Sequence, residues 1–270
     1  SLYQEHTGRF FYHNVHSVRV LDDMVNWNIS LQTLDGILCH NGELELKEYR
    51  PCEMSTFVEY DKKVEACYVD EKAIGELIPC TLEGCVMRIC DIIAYLGKDR
   101  QDAMRLNLLK ESPFTAGAIG TTNGEIINNF SVNIIENSYG KDYLKMDEEY
   151  FDALRQAKKE NYEMIYNNKS LNDLYENEIR PMFGELYEEL LHQAESGDKS
   201  SVFYRHHMAY MEKNNFYVKS HVRKPYAEQE KNQLVVDYLA SMTDDYFIAL
   251  YHYLFPKGKH DVKFVGYFDL

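Results

Sequence analysis

Residues 81–105 read TLEGCVMRICDIIAYLGKDRQDAMR and carry the strongest helical pattern of the chain. Their apolar side chains recur at a spacing that gathers them on one face of a helix. They are Leu82, Val86, Ile89, Ile93 and Leu96. Thr81, which follows Pro79, is a favourable N-cap because its hydroxyl can accept a backbone N–H of the first turn. The stretch therefore predicts one long helix from Thr81 to about Lys110.

Helical periodicity also dominates the sequence before this stretch. Residues 11–27 place apolar side chains on one stripe, and Ser30 is suited to cap a helix that begins at Leu31. Residues 41–80 are rich in charge and are interrupted by glycine and proline. They predict loops and short helices.

The segment 112–124, SPFTAGAIGTTNG, is the clearest break in the chain. Its small residues, proline and glycines end the long helix and predict a connector. Further helices are predicted beyond it near 125–137, 147–167, 170–195 and 228–254. We expect the third of these to kink or split at Pro181, because proline removes a backbone donor. The final VKFVGYF predicts a short strand or an extended tail.

The fold class that follows is all-α, with strand signals sparse throughout. We expect residues 1–111 to form a helical core, 112–124 to connect, and 125–270 to form a C-terminal helical region packed on that core. A chain of 270 residues is long enough to bury a large core in this way.

The charge balance restricts the class of partner. Lys and Arg number 29 against 44 Asp and Glu, which gives a net charge of −15. Such a chain does not attract polyanions over its whole surface, so binding of bulk nucleic acid or of an anionic membrane is not expected. A small anionic substrate would need a local cationic or metal-bearing pocket.

The cysteines indicate the compartment. All six lie between Cys39 and Cys90, and none forms the C-x-x-C pair of a zinc site. The pattern favours reduced thiols in a cytoplasmic protein. There is neither a signal peptide nor an apolar run long enough to predict a membrane span.

One face of the long helix carries the most informative polar side chains. Arg88, Asp91, Tyr95 and Asp99 follow one another at helical spacing, so they line the same side. Asp91 interrupts an apolar run. Its carboxylate lies either on the solvent face or in a pocket that supplies a metal, a base or hydrogen bonds. Spacing alone favours the solvent face.

Two further clusters hold histidine. Residues 10–19, FFYHNVHSVR, bring polar heads near one helix start, where they bind phosphate oxygens or simply cap the helix. His40 ends a helix just before Gly42, a position that the helix dipole favours without any further role. His260-Asp261 is an HD dipeptide in a Lys- and Gly-flanked segment and is discounted. The chain has no P-loop, dinucleotide fingerprint, nucleophile elbow or H-E-x-x-H.

Four segments together resemble one family. They are HNVHSVRVLDDM at 13–24, DGILCHNGE at 35–43, TLEGCVMRICDIIAYLGKDRQDAMR at 81–105 and VVDYLASMTDDYFIALYHYLF at 235–255. In order and approximate distance they are similar to the bacterial dGTPase-like and broad-specificity dNTP triphosphohydrolases of the HD superfamily. Residues 115–230 are much less diagnostic.

The resemblance implies a fold and a reaction. It implies an HD-domain type of helical fold that lacks its N-terminal helices. Members cut a dNTP to the deoxynucleoside and inorganic triphosphate, with water attacking the α-phosphorus. A divalent metal such as Mg or Mn is held by a His, a His-Asp pair and a distant Asp, and Asp91 matches that distant Asp.

The resemblance also implies the substrate contacts. Tyr95 matches a tyrosine that packs on the sugar and discriminates deoxyribose from ribose, and Asp99 matches the carboxylate that binds the 3′-hydroxyl. His13 and Asn14 match polar positions that face the phosphates or the catalytic water, and His13 is the candidate catalytic residue. His40 matches a basic or imidazole position near the phosphates.

One departure from the family pattern bears on activity. The first His and the His-Asp pair should lie upstream of HNVHSVR, where this chain has only SLYQEHTGRFFY. One carboxylate binds a metal weakly or not at all, since affinity comes from several ligands together. We therefore expect this chain alone to be inactive and the full-length protein to be a dNTPase.

Two other hypotheses stay open. One is a catalytically dead helical module that binds nucleotides or assembles oligomers. The other is an HD phosphohydrolase for another phosphoester, against which the Asp91, Tyr95 and Asp99 set argues. The family resemblance further suggests a homo-oligomer and a possible nucleotide effector.

Overall fold

The computed structural model describes residues 2–25, 27–41, 45–106, 108–109, 114–214 and 225–262. Over these residues the chain is helical with two strands of two residues each, so the all-α prediction is confirmed. The α-helices are α1 Leu2–Thr7, α2 His13–Arg19, α3 Leu31–Leu38, α4 Phe57–Val69, α5 Leu82–Arg105, α6 Asn123–Ser138, α7 Glu148–Asn161, α8 Lys169–Leu174, α9 Arg180–Ser196, α10 Ala209–Asn214, α11 Lys231–Ala240 and α12 Asp244–Leu254.

Short segments of other geometry join several of these helices. Single π-helical turns occur at Val20–Met24, Tyr162–Tyr166, Tyr175–Ile179 and Tyr204–Met208. Three-ten turns occur at Ala73–Glu76 and Tyr226–Glu228. Strand β1 (Glu48–Tyr49) pairs antiparallel with β2 (Leu144–Lys145), with Glu48 opposite Lys145.

Helix α5 begins where the sequence predicts it. The Thr81 hydroxyl accepts the backbone N–H of Gly84, which satisfies one of the free donors of the first turn. The helix ends at Arg105, and Lys110 lies outside the described residues. The cap at Ser30 is likewise confirmed, since its hydroxyl accepts from Thr33 N at the start of α3.

Two predicted stretches differ from the structure. Residues 41–80, expected as loops and short helices, contain the thirteen-residue helix α4. Thr56 and Glu59 form a capping box at its start, and that local bonding outweighs its charge-rich composition. The helix predicted near 228–254 is two helices, because Thr243 caps α12 and the Ser241 hydroxyl bonds back to the Tyr238 carbonyl. The apolar periodicity of α11 continues into α12, so the sequence pattern did not reveal the break between them.

The stretch predicted at 170–195 is also divided, by the π turn Tyr175–Ile179. Pro181 follows this turn closely, and the residues just before it, Ile179 and Arg180, keep helical backbone angles. Most of the tail predicted as a strand or extended segment, residues 263–268, lies outside the described residues.

The chain divides into two compact units. The first comprises residues 1–11, 19–28 and 169–270, and its core includes Met182, Leu186, Leu234 and Val235. The second comprises residues 12–18 and 29–168. Ile89, Ile93 and Leu96 of the predicted α5 stripe pack in its core against α6 and α7. The prediction that Val86 belongs to this stripe is wrong, because its side chain is 43% exposed on another side of the helix. The proposed division at 112–124 stays a prediction.

Candidate functional site

The polar face of α5 is partly open to solvent in the second unit. Asp91, Tyr95 and Asp99 are all half-buried, whereas Ile92 and Leu96 between them are buried. A spacing of four residues sets successive members about 6 Å apart along the helix. The three side chains therefore form a row at the edge of the core of the second unit. The Tyr95 ring packs against the apolar side chains of that core.

Asp99 accepts a hydrogen bond from the hydroxyl of Tyr166, a residue that sequence reasoning did not identify. Tyr166 ends the π turn that continues α7. Partial burial, the hydrogen bond to Asp99 and the negative charge of that carboxylate raise the pKa of Tyr166, so its hydroxyl stays protonated. The nearby Tyr95 raises the pKa of Tyr166 further.

A buried network beneath this face joins α5 to α7. Arg100 is 3% exposed and donates from Nε to Asn161 Oδ1 at 2.8 Å and from Nη2 to Glu160 Oε2 at 3.2 Å. Asn161 Nδ2 donates to the Leu96 carbonyl at 3.0 Å. Thr115 donates to Glu160 from its hydroxyl at 2.6 Å. The network fixes the residues that directly adjoin Asp99 and the π turn.

The two candidate histidines of the second unit lie against each other. The rings of His13 and His40 meet edge to face, with their centroids 5.2 Å apart. His40 Nδ1 is 2.5 Å from the Ile37 carbonyl. A carbonyl only accepts, so this contact puts the proton on Nδ1 and leaves Nε2 as the acceptor.

Asn14 is buried and joins α2 to the end of α3. Its Nδ2 donates to the Leu38 carbonyl at 2.5 Å, one of the carbonyls that a helix end leaves without an intrahelical partner. Its Oδ1 is buried and accepts no hydrogen bond from the residues that the structure describes. The amide nitrogen of this candidate substrate residue is thus engaged by the backbone that carries His40.

Helix α3 is held close to α5 by small and polar residues. Gly36 and Gly84 face each other, and a Cβ on Gly84 would lie 3.5 Å from the Gly36 Cα. Asp35 is fully buried and accepts from Lys63 Nζ at 2.7 Å and from Cys80 N at 2.6 Å. These contacts anchor α3 to α4 and to the segment that leads into α5.

Polar side chains of the C-terminal segment 235–255 hydrogen-bond to other residues of the first unit. Asp237 is fully buried and accepts two bonds from Arg19, from Nε at 2.7 Å and from Nη2 at 2.6 Å. The Tyr226 hydroxyl donates to the same carboxylate at 2.9 Å. Tyr246 hydrogen-bonds to His206 Nδ1 at 2.7 Å and to the Tyr238 hydroxyl at 2.5 Å.

The described residues do not form a metal site by themselves. Among them, no group of three or more His, Cys, Asp and Glu side chains is placed to hold a metal ion. Asp91 is therefore a single candidate ligand. No helix in the described part of the chain is long and apolar enough to cross a membrane.

Known proteins resemble this chain in two ways: a family model matches one segment of it, and curated proteins align with most of its length. Residues 180–253 match the phosphohydrolase-associated domain family. The chain is 25% identical over 260 residues to a protein of Clostridium tetani named deoxyguanosinetriphosphate triphosphohydrolase-like protein, covering 92% of this chain and 60% of that protein. Proteins of the same name from Caldanaerobacter subterraneus and Clostridium perfringens (strain SM101) are 27% identical over 181 residues and 26% over 249.

These two alignments cover 66% and 87% of this chain and 47% and 58% of the respective relatives. The chain thus spans about half the length of the curated relatives it matches. No solved structure matches it. The resemblance to dGTPase-like proteins is confirmed, and the matches support a relationship to phosphohydrolases.

Proposed function

We propose that this chain carries the deoxyribose-binding face and one metal-ligand carboxylate of a deoxynucleoside-triphosphate triphosphohydrolase. The reaction would release the deoxynucleoside and inorganic triphosphate by attack of water on the α-phosphorus. The observation that carries the proposal is the half-buried row of Asp91, Tyr95 and Asp99 on α5. It offers a carboxylate, an aromatic plate and a second carboxylate at successive turns of one helix.

The chemistry of a dNTP suits this row. The Tyr95 ring offers an apolar face to the sugar. Asp99 can accept the proton of the 3′-hydroxyl in a charge-assisted hydrogen bond. Asp91 would then lie toward the phosphates, two turns away from Asp99. A ribose 2′-hydroxyl would have to fit against the Tyr95 ring, which favours deoxyribose.

The histidine pair supports a phosphate-facing role for α2 and the end of α3. An imidazole nitrogen can accept a proton from water or donate its N–H to a phosphate oxygen, which suits His13 and His40 to this role. We propose His13 as the catalytic residue and His40 as its partner at the phosphates. Asn14 would hold this pair by its bond to Leu38. A local cationic group is needed because the chain has a net charge of −15.

A divalent metal, when bound, would polarise the phosphate and activate water. The described residues supply Asp91 alone, and metal affinity depends on several deprotonated ligands together. The present donor set therefore does not fit a complete metal site, and the proposal requires ligands from outside the described residues. A cytoplasmic location, a homo-oligomer and a nucleotide effector stay predictions.

The test is a triphosphate-release assay on the full-length protein with each dNTP and with Mg or Mn. Asp91→Asn should abolish release, and Asp99→Asn should weaken it about tenfold or more, as expected for a lost bond to a charged group. Glu83→Gln removes an exposed carboxylate from the same helix and should leave the rate unchanged.

Three outcomes separate the hypotheses. Triphosphate release that depends on Asp91 supports the proposal. Nucleotide-dependent thermal stabilisation without any release would favour a binding or oligomerisation module. Hydrolysis of another phosphoester, with every dNTP left intact, would favour a different HD phosphohydrolase.

A further inference from the structure

Tyr166 stands out because its hydroxyl reaches the one carboxylate assigned to the sugar. It donates to Asp99 Oδ2, and Asp99 Oδ1 accepts no hydrogen bond from the residues that the structure describes. One carboxylate oxygen is therefore held by the protein while the other keeps its acceptor capacity.

The backbone around Tyr166 is not that of an ordinary helix. Residues Tyr162–Tyr166 form a π turn, in which one extra residue shifts the side chains that follow relative to α7. Such single turns occur frequently at functional sites. Here the turn brings the last ring of the segment to Asp99.

A buried hydrogen-bond network lies next to both Tyr166 and Asp99 in the chain. Arg100 and Asn161 are buried, and each is a chain neighbour of the site, Arg100 after Asp99 and Asn161 before the π turn. They bond to each other at 2.8 Å, and Asn161 bonds to the Leu96 carbonyl at 3.0 Å. This network, to which neither Tyr166 nor Asp99 belongs, holds α5 against the end of α7 next to their contact.

The Tyr166–Asp99 bond itself adds little to folding stability. Tyr166 is 47% exposed and Asp99 is half-buried, so water can replace either partner at small cost. The same exposure leaves the pair accessible to a ligand. A solvent-facing pair of this kind is better suited to binding than to stabilising the core.

We propose that Tyr166 is a positioning residue that orients Asp99 to read the 3′-hydroxyl of the substrate's deoxyribose. Its O–H occupies Oδ2 and selects the rotamer in which Oδ1 accepts the proton of the 3′-hydroxyl. This inference rests on the proposed function and adds to it a residue outside the segments that resemble the family. The raised pKa of Tyr166 keeps the donor protonated through neutral and mildly alkaline pH.

The experiment compares a dNTP with the matching 2′,3′-dideoxynucleoside triphosphate, which lacks only the group that Asp99 would read. The ratio of the two kcat/KM values is measured on the full-length protein. We expect wild type to prefer the dNTP by about tenfold or more, the effect of one hydrogen bond to a charged group. Tyr166→Phe should lose most of that preference while keeping the ring.

Two further variants separate positioning from general damage. Tyr162→Phe removes a hydroxyl from the same π turn, where the ring is 61% exposed, and should keep the wild-type ratio. In the Asp99→Asn background, Tyr166→Phe should change the ratio no further, because Tyr166 acts through Asp99. Partial unfolding lowers both rates together and leaves their ratio intact.

A second readout does not depend on turnover. Thermal stabilisation by the dNTP and by the dideoxy analogue is compared in EDTA, and Tyr166→Phe should narrow the difference. A wild-type preference that survives Tyr166→Phe unchanged overturns the positioning role, as does a wild type that cleaves both nucleotides equally well. A wild type that neither binds nor cleaves any dNTP instead overturns the proposed function, and the positioning role with it.

Discussion

The imidazole of His13 packs edge to face on that of His40, with ring centroids 5.2 Å apart, although the two residues belong to separate segments of the sequence. A hydrogen bond next to the two rings joins the segments that carry them. Asn14, directly after His13, donates to the Leu38 carbonyl two residues before His40. Helix α2 and the end of α3 are thereby held at one distance.

Asn14→Ala should loosen this arrangement. The substitution leaves the buried Leu38 carbonyl without its donor, so we expect a loss of about 1–3 kcal/mol in the free energy of unfolding. Urea denaturation measures the loss. Ser17→Ala is the control: its hydroxyl bonds to the His13 carbonyl at an exposed position, and it should cost under about 0.5 kcal/mol. Equal stability of the two variants would contradict a structural role for Asn14.

How far the sequence predicts this site depends on the kind of contact. Caps such as Thr81 and Ser30 are local, and they are confirmed because a hydroxyl and the N–H it accepts lie three residues apart. The polar row of α5 follows from helical spacing for the same reason. The His13–His40 contact needs the packing of two helices, which spacing within either segment does not specify.

Tyr166 marks the limit of pattern reasoning. A π turn adds one residue to the helical repeat, so extrapolating the 3.6-residue period of α7 misplaces every side chain after Asn161. The sequence pattern also failed to predict the division between α11 and α12. Thr243 is a good N-cap, but the apolar positions on both sides of it fit one continuous stripe.

Asp237 predicts a large stability effect in the first unit. Its carboxylate is fully buried and pairs with Arg19, which is 9% exposed. Asp237→Ala would leave that guanidinium buried without its main counter-charge, so we expect a loss of about 3–5 kcal/mol by chemical denaturation. Glu176→Gln breaks the exposed ion pair with Arg180 and should cost about 0.5 kcal/mol or less. A similar cost for both changes would show that burial of the Arg19 pair is unimportant.

His207 predicts how stability changes with pH. Burial lowers its pKa from 6.5 to about 4, with Arg19 adding to the effect and Asp237 opposing it. Above pH 6.5 the imidazole is neutral in both the folded and the unfolded chain, so its ionisation does not change the free energy of unfolding. Below pH 6.5 His207 binds a proton in the unfolded chain but stays neutral in the folded chain, so the free energy of unfolding falls as the pH is lowered to about 4. The shift corresponds to a loss of about 3 kcal/mol.

The measurement compares the free energy of unfolding at pH 7 and pH 4.5 in wild type and in His207→Gln. Glutamine keeps a donor for the Tyr226 hydroxyl, which His207 Nε2 contacts at 2.7 Å, but does not titrate. Carboxylates contribute to the pH dependence of both proteins, so the difference between the two slopes isolates the histidine. Parallel slopes would rule out a strongly lowered pKa for His207.

Gly84 lies at the start of α5, where Pro79 and Gly36 of α3 come close to it. A Cβ on this residue would lie 2.6 Å from the Pro79 Cβ and 3.5 Å from the Gly36 Cα, so Gly84→Ala requires the backbone to shift. We expect a loss of about 1–3 kcal/mol, the usual cost of overpacking a close contact. The shift would occur between Pro79 and the start of α5, the helix that carries Asp91. A drop in dNTP hydrolysis larger than the loss of folded protein would be its functional sign.

Gly184 is the matched control for this prediction. It also lies inside a helix, α9, but a Cβ there would meet no atom within 4 Å. Gly184→Ala should therefore raise stability by about 0.5–1 kcal/mol, since alanine loses less conformational freedom in a helix. Opposite signs for the two substitutions would show that glycine at position 84 is required by the close approach of Pro79. If Gly84→Ala were stabilising as well, Pro79 would have to lie farther from residue 84 than the 2.6 Å contact indicates.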